Sequence, residues 1–293
     1  MRIAITVFVE DVAGYQHGLP AILSLFKQYD IHATFLLSPG FDNSGLRIRR
    51  LFRPWLLSSQ LPTIQKLYGT LLPPKSLNKY FKPAVLSCIE QGHDVGLASF
   101  DSVLWQNQGL DASEALTRQH MNWSVDAFVE ATGQRPKIHA ASGCIVNKHL
   151  YKLERELGFE LGIESRGKTL YLPRYQGVES DVLQLPITLP YLEELLVQDE
   201  INLDNIHEYF FAESQSVLPH GQVMALRASY EGRGWLGILE KLLVMWKGSS
   251  REFQTALQLL SQVEKGSIKR HQVGWAEYKP QNQFMATQGR PEE

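Results

Sequence analysis

The sequence predicts an α/β fold, a single parallel (β/α) barrel of about seven strands, on three observations. Short apolar runs recur along the chain with amphipathic segments of helical period between them, the order of βα units rather than of an all-β protein or a helix bundle. The length, 293 residues, suits one barrel with additions. A hydrophobic content of 44% is ample for its core.

Taken in order, the first element is a buried strand over Ile3–Val9. Its apolar run is too short, and too soon interrupted by Glu10 and Asp11, for a signal peptide or a spanning helix. A helix over Gly18–Tyr29 leads to a strand over Ala33–Leu37, and a helix over Pro83–Gln91 to a strand over Asp94–Ala98. The pattern continues with helix Ala112–Thr132 and strand Ile138–Ala141, then helix Lys148–Leu157 and strand Leu161–Ile163. Strand Val182–Leu185, helix Leu203–Ser216, strand Val223–Arg227 and helix Leu236–Val244 complete it. The barrel is expected over residues 1–264, with an insertion over 43–89 and a polar, loosely ordered tail over 265–293.

A net charge of −2 argues against a nucleic-acid or polyanion binder. Two isolated cysteines, Cys88 and Cys144, suggest neither a disulfide framework nor a structural zinc site and fit a reducing, cytoplasmic setting. Cys144 and Ser142 have only His139 near them in sequence as a base, and a free cysteine is most often a small buried hydrophobe.

The insertion departs from the average composition. Between Asp42 and Glu90 there is no acidic residue, while arginines and lysines alternate with leucines and aromatic residues. One reading is a helical cap packed on the barrel. The other is a surface in a membrane interface, with Arg47, Arg50, Arg53 and Lys66 facing anionic lipid and Trp55 as the anchor.

Residues 92–105, GHDVGLASFDSVLW, resemble a strand-end motif of the NodB-homology polysaccharide deacetylases, in which a G-H-[DE]-[VI]-G-x-H-x-x-x-H pattern supplies two imidazoles to a divalent ion. The stretches at 45–57, 139–167, 183–196 and 227–232 are similar to those of the members that deformylate undecaprenyl-phosphate-linked 4-deoxy-4-formamido-L-arabinose. The resemblance implies a NodB-type distorted barrel and an amide hydrolase at the cytoplasmic face of the inner membrane. It also implies that the machinery is mostly replaced. The two imidazole positions fall on Ala98 and Ser102, the base on Phe8, the metal-binding carboxylate on Glu10, an arginine on Ile145, and the late-strand histidine on Arg227.

Losing an acid or base typically costs ~10²–10⁴ in rate, and losing the ion removes Lewis acid and nucleophile together. The expectation is therefore a catalytically degenerate homologue without metal or cofactor. It binds the lipid-linked sugar, an anionic membrane surface or an active deformylase partner. The alternative is a working carbon–nitrogen hydrolase in which a one-residue shift recruits Glu10 and Asp11. Arg227 could fill the metal position as a fixed positive charge paired with Glu10 or Asp101, or serve only as a structural pair, or hold an anionic group of a ligand.

Overall fold

Strands buried on both faces read as continuous apolar runs, and the first element follows that rule: Arg2–Val9 (β1) is buried at every position after Arg2. In this computed structural model, which describes residues 1–48, 62–279 and 283–292, β1 lies inside a parallel sheet. The other strands are Thr34–Leu37 (β2), Asp94–Ala98 (β3), Ile138–Ala140 (β4), Leu161–Gly162 (β5), Leu183–Gln184 (β6) and Gln222–Arg227 (β7). They follow the order β6-β5-β4-β3-β2-β1-β7, and every pairing is parallel. All seven expected strands are present.

The sheet curls into a barrel that is not closed by a strand ladder. Instead, Thr188 and Leu189, just past β6, each donate a backbone N–H to the Val223 carbonyl at 3.1 Å, and the Val223 N–H donates to Thr188 Oγ1 at 2.8 Å.

Two-residue periodicity sorts the side chains. Ala4, Phe8, Leu36, Ala98, Ile138, Ala140, Leu185 and Ala225 fill the interior. Ile3, Ile5, Val7, Phe35, Leu97 and Leu226 face outward, under the helices. Those helices are Leu19–Gln28 (α1), Asn78–Glu90 (α3), Glu114–Thr132 (α5), Lys148–Leu157 (α6), Ile206–Glu213 (α8) and Leu236–Gly248 (α9). Asn147 caps α6 by accepting the N–H groups of His149 and Leu150 at 3.0 Å, and Gly158 ends it at φ 83°.

Shorter helices complete the mouth and the base: Ser44–Ile48 (α2), Ser102–Gln108 (α4), Leu192–Leu195 (α7) and Ala256–Ser261 (α10). The π-helical turn Gly14–Gly18 before α1 passes so close to the chain after β7 that a Cβ on Gly18 would lie 1.8 Å from the Ala228 carbonyl oxygen.

Two expectations need correction. The third helix begins at Asn78 and carries Pro83 inside it, rather than starting at that proline. The tail is also not loose: Arg270–Tyr278 (β9) and Gln283–Pro291 (β10) form an antiparallel hairpin, with β9 also parallel to Leu172–Tyr175 (β8). It is polar because, of β9, only Val273 and Tyr278 are buried. Through Tyr278 and Met285 it reaches the interior cluster of the barrel.

Candidate functional site

The carboxyl ends of β1, β2, β3 and β4 converge, which is where an open parallel sheet places its ligands. Alternation along β1 turns Phe8 inward, onto Leu36, Ala98, Ala140 and Cys144. Phe8 thus occupies the expected base position with a buried ring that has no titratable atom. Two residues on, Glu10 accepts a hydrogen bond from Ser142 Oγ at 2.5 Å. Asp11 accepts the Gly14 N–H at 2.8 Å.

The centre of this mouth holds a guanidinium. Asp42 seats α2 at its start, accepting the Ser44 N–H at 2.9 Å and its hydroxyl at 2.5 Å, while its other oxygen accepts the Val12 N–H at 2.9 Å. Near the end of α2, Arg47 points inward. Its terminal nitrogens donate to Ser102 Oγ at 3.0 Å and lie 3.7 Å from Glu10 and 3.6 Å from Asp11. The arginine is 3% exposed. Burial works against its charge, but the Tyr230 phenol and the Glu10 and Asp11 carboxylates outweigh it and hold its pKa above the usual value.

Flanking acids are raised as well, which for a carboxyl disfavours the charged form. Burial, with the charge of Asp11 added, pushes Asp42 up to about 7. Burial pushes Asp101 up to about 6 although it accepts the Leu104 N–H at 3.0 Å, as the cap of α4, and the Asn43 amide at 2.5 Å.

Arg227 serves a different pair. It binds Glu193, not Glu10 or Asp101, and donates to the Tyr278 hydroxyl at 3.2 Å, while that hydroxyl donates to Glu193 at 2.6 Å. The rings of Tyr191, Tyr230 and Tyr278 surround its guanidinium at 4.6, 5.7 and 5.9 Å. Its backbone N–H is bound by Glu231 at 2.7 Å. Nearby, Arg166 binds Glu194.

The structure thus joins Glu10, Asp11 and Ser102 around one cation, with Ala98 and Phe8 in the adjoining interior. Ile145 is buried apart from them and offers its carbonyl to Trp105 Nε1 at 2.8 Å. Cys144 is buried, and burial pushes its thiol up to about 12, which argues against a nucleophilic role. Arg47, expected to face lipid, faces inward instead. Lys66 is half-buried, and Arg50, Arg53 and Trp55 lie outside the described residues. Sequence reasoning singled out Arg47 for a lipid-facing surface rather than for the mouth, and missed Asp42, Asn43 and Glu193. The only available signal was an arginine beginning the acid-free stretch directly after an Asp-Asn-Ser helix start.

The donor set does not suit a zinc-type ion. Where two imidazoles and a carboxylate would be required, there are a methyl group, a hydroxyl and a carboxylate, with a guanidinium already between the last two.

The sequence profile of the polysaccharide deacetylase family matches residues 9–162. A protein of Shewanella sediminis assigned as a 4-deoxy-4-formamido-L-arabinose-phosphoundecaprenol deformylase is 26% identical over 268 residues, 88% of this chain and 86% of the relative. Among solved structures, a Mycobacterium smegmatis protein assigned as a polysaccharide deacetylase superposes with a TM-score of 0.64 at 14% identity, covering 94% of each chain. A CE4 family pseudoenzyme from Bacillus anthracis does so at 0.52 and 12% identity, covering 88% of this chain and 65% of that one. At such identities the structures share the fold alone.

Proposed function

Because the chain belongs to the polysaccharide deacetylase family, whose members are amide hydrolases, we propose that it is a non-hydrolytic member in which Arg47 stands in for the metal ion. The observation that carries this reading is the guanidinium bridging Glu10 and Ser102. A guanidinium supplies a fixed positive charge but no exchangeable ligand position, so it neither polarises a bound water nor generates hydroxide. Phe8 takes no proton, and Arg227, ion-paired and ringed by phenols, gives none.

The retained role is binding. The ligand is a lipid-linked aminoarabinose-type sugar of the kind named for the Shewanella relative, held at an anionic membrane face. Support for the membrane side comes from the described part of the insertion, where Leu71 and Ile64 are 83% and 57% exposed in a stretch that also carries Lys66, Lys75 and Lys79. Among the described residues no helix is long and apolar enough to cross a membrane. Contact is therefore expected to be peripheral.

Two measurements test the reading. Formate or acetate release from formamido- and acetamido-sugars, with Zn²⁺, Mn²⁺ or Co²⁺ added, should stay at background; metal-dependent turnover abolished by Glu10→Gln would instead establish a rearranged hydrolase. Sedimentation with phosphatidylglycerol vesicles should show binding that falls as salt rises. No binding at any salt concentration ends the membrane part.

A further inference from the structure

The outer face of the barrel carries a second charged cluster, on residues other than those of the mouth. Outward positions on β4, just past β5 and on β6 bring His139, Glu164 and Gln184 together beneath α6, whose Glu154 points back at them. His139 is 3% exposed and the other three are 0%. Room is kept for this group at Gly162, where a Cβ would lie 2.3 Å from the Gln184 amide nitrogen.

His139 Nδ1 sits 2.7 Å from Glu164 Oε1 and 3.2 Å from Glu154 Oε1. Glu164 Oε2 accepts the Ala141 N–H at 2.5 Å, and Glu154 Oε2 accepts the Gln184 amide at 3.1 Å. One atom is left over: Gln184 Oε1, fully buried, has no hydrogen-bond partner.

Charge counting makes the cluster unusual. Two buried carboxylates face a single imidazole, and a buried carboxylate without a counter-charge is costly. Either two protons supply the missing charge, one on His139 and one shared by the carboxylates, or one divalent cation supplies it with the imidazole neutral. The imidazole nitrogen and one oxygen of each carboxylate already lie within 4.8 Å of one another.

We propose that His139, Glu154 and Glu164 form a structural site for a divalent cation of the zinc class, with the Gln184 carboxamide oxygen as fourth ligand. Nitrogen and oxygen donors at about 2.0–2.2 Å in tetrahedral array stand roughly 3.3–3.6 Å apart. The His139–Glu154 spacing is close to the lower end of that separation. The His139–Glu164 spacing must open by roughly 0.6–0.9 Å, displacing the two protons as the ion enters. The site clamps α6 to three strands and is closed to solvent, so it acts on stability and not on substrate.

The test is elemental analysis of protein refolded in Zn²⁺ and dialysed against buffer without chelator. About one zinc per chain is expected in wild type and in Glu10→Gln, and none in Glu154→Gln or His139→Asn. Glu10→Gln separates this site from the mouth, so its outcome is independent of the function proposed above. Should the inner variants fail to fold, zinc-edge X-ray absorption on wild type decides, with one nitrogen and otherwise oxygen donors expected. Absence of bound zinc in wild type, zinc lost only in Glu10→Gln, or a spectrum with sulfur or several imidazoles overturns the proposal.

Discussion

Replacing Arg47 by Met keeps an unbranched apolar stem and removes the guanidinium with its charge and donors. At 3.6–3.7 Å the guanidinium attracts each of Glu10 and Asp11 by about 4–5 kcal/mol at an effective dielectric near 20. Desolvation of three groups, 3%, 7% and 2% exposed, offsets most of that, but the cost is already incurred when the arginine alone is removed. The expected loss is therefore that of breaking a buried pair, about 3–5 kcal/mol.

Urea denaturation of wild type, Arg47→Met, Glu10→Gln and the double variant forms a thermodynamic cycle. The two changes should couple by roughly 1–3 kcal/mol, because Glu10→Gln removes one of the charges that Arg47→Met leaves unpaired. A single-variant loss under about 1 kcal/mol with coupling near zero would mean that Arg47 does not occupy the mouth, and the substituted-metal argument would fall with it.

Restoring imidazoles by Ala98→His and Ser102→His should give no zinc affinity at the mouth while Arg47 remains, and adding Arg47→Ala should admit the ion. Calorimetry showing tight zinc binding that depends on the two introduced imidazoles with Arg47 intact would contradict this; hydrolysis should stay absent in either case while Phe8 and Arg227 remain. Asp101, pushed up to about 6, holds its proton more tightly folded than unfolded, so its stabilising share is full below its ordinary value and is lost as pH rises through about 6. The stability of Asp101→Asn relative to wild type should therefore climb by roughly 2–3 kcal/mol between about pH 4 and pH 7, and a flat difference would show that the carboxyl is not perturbed. Tyr278→Phe deprives Glu193 and Arg227 of a shared hydroxyl and should cost about 1.5–3 kcal/mol in thermal or urea unfolding. An unchanged transition would mean that the hairpin is not tied to the Arg227 pair.

The strands were legible because a parallel sheet covered on both faces must be written in continuous apolar residues, as in IAITVFV and DVGLA. The hairpin was not legible: β9 buries only Val273 and Tyr278, and an edge ribbon has the composition of a tail. At the mouth, the resemblance put the expected base and imidazole positions on Phe8, Ala98 and Ser102. That a guanidinium lies beside Ser102 and Glu10 was not legible. Arg47, Arg49, Arg50 and Arg53 look alike in one dimension, and what selects Arg47 is the seating of α2 on Asp42. Arg227 suggested a mouth partner because both lie at strand ends, yet Glu193 reaches it from a four-residue helix whose position periodicity does not encode. His139 is a lone polar residue in an apolar strand, Glu164 lies just past another, and Glu154 is one of several charged residues on α6, so nothing in one dimension sets the three apart as a group.

The seam between β6 and β7 gives the barrel the mechanics of a split ring. A closed hoop of strands can widen only by stretching every ladder at once, whereas here the circumference is interrupted where one threonine side chain and two backbone donors meet Val223. Deformation is therefore expected first at Thr188, with the rim carrying Arg166 and Arg227 spreading while β1 to β5, joined by continuous parallel pairing, keep their register. In hydrogen exchange the Val223 amide, held only by a threonine hydroxyl, should open ahead of its β7 neighbours, making the joint the place where the wall yields first.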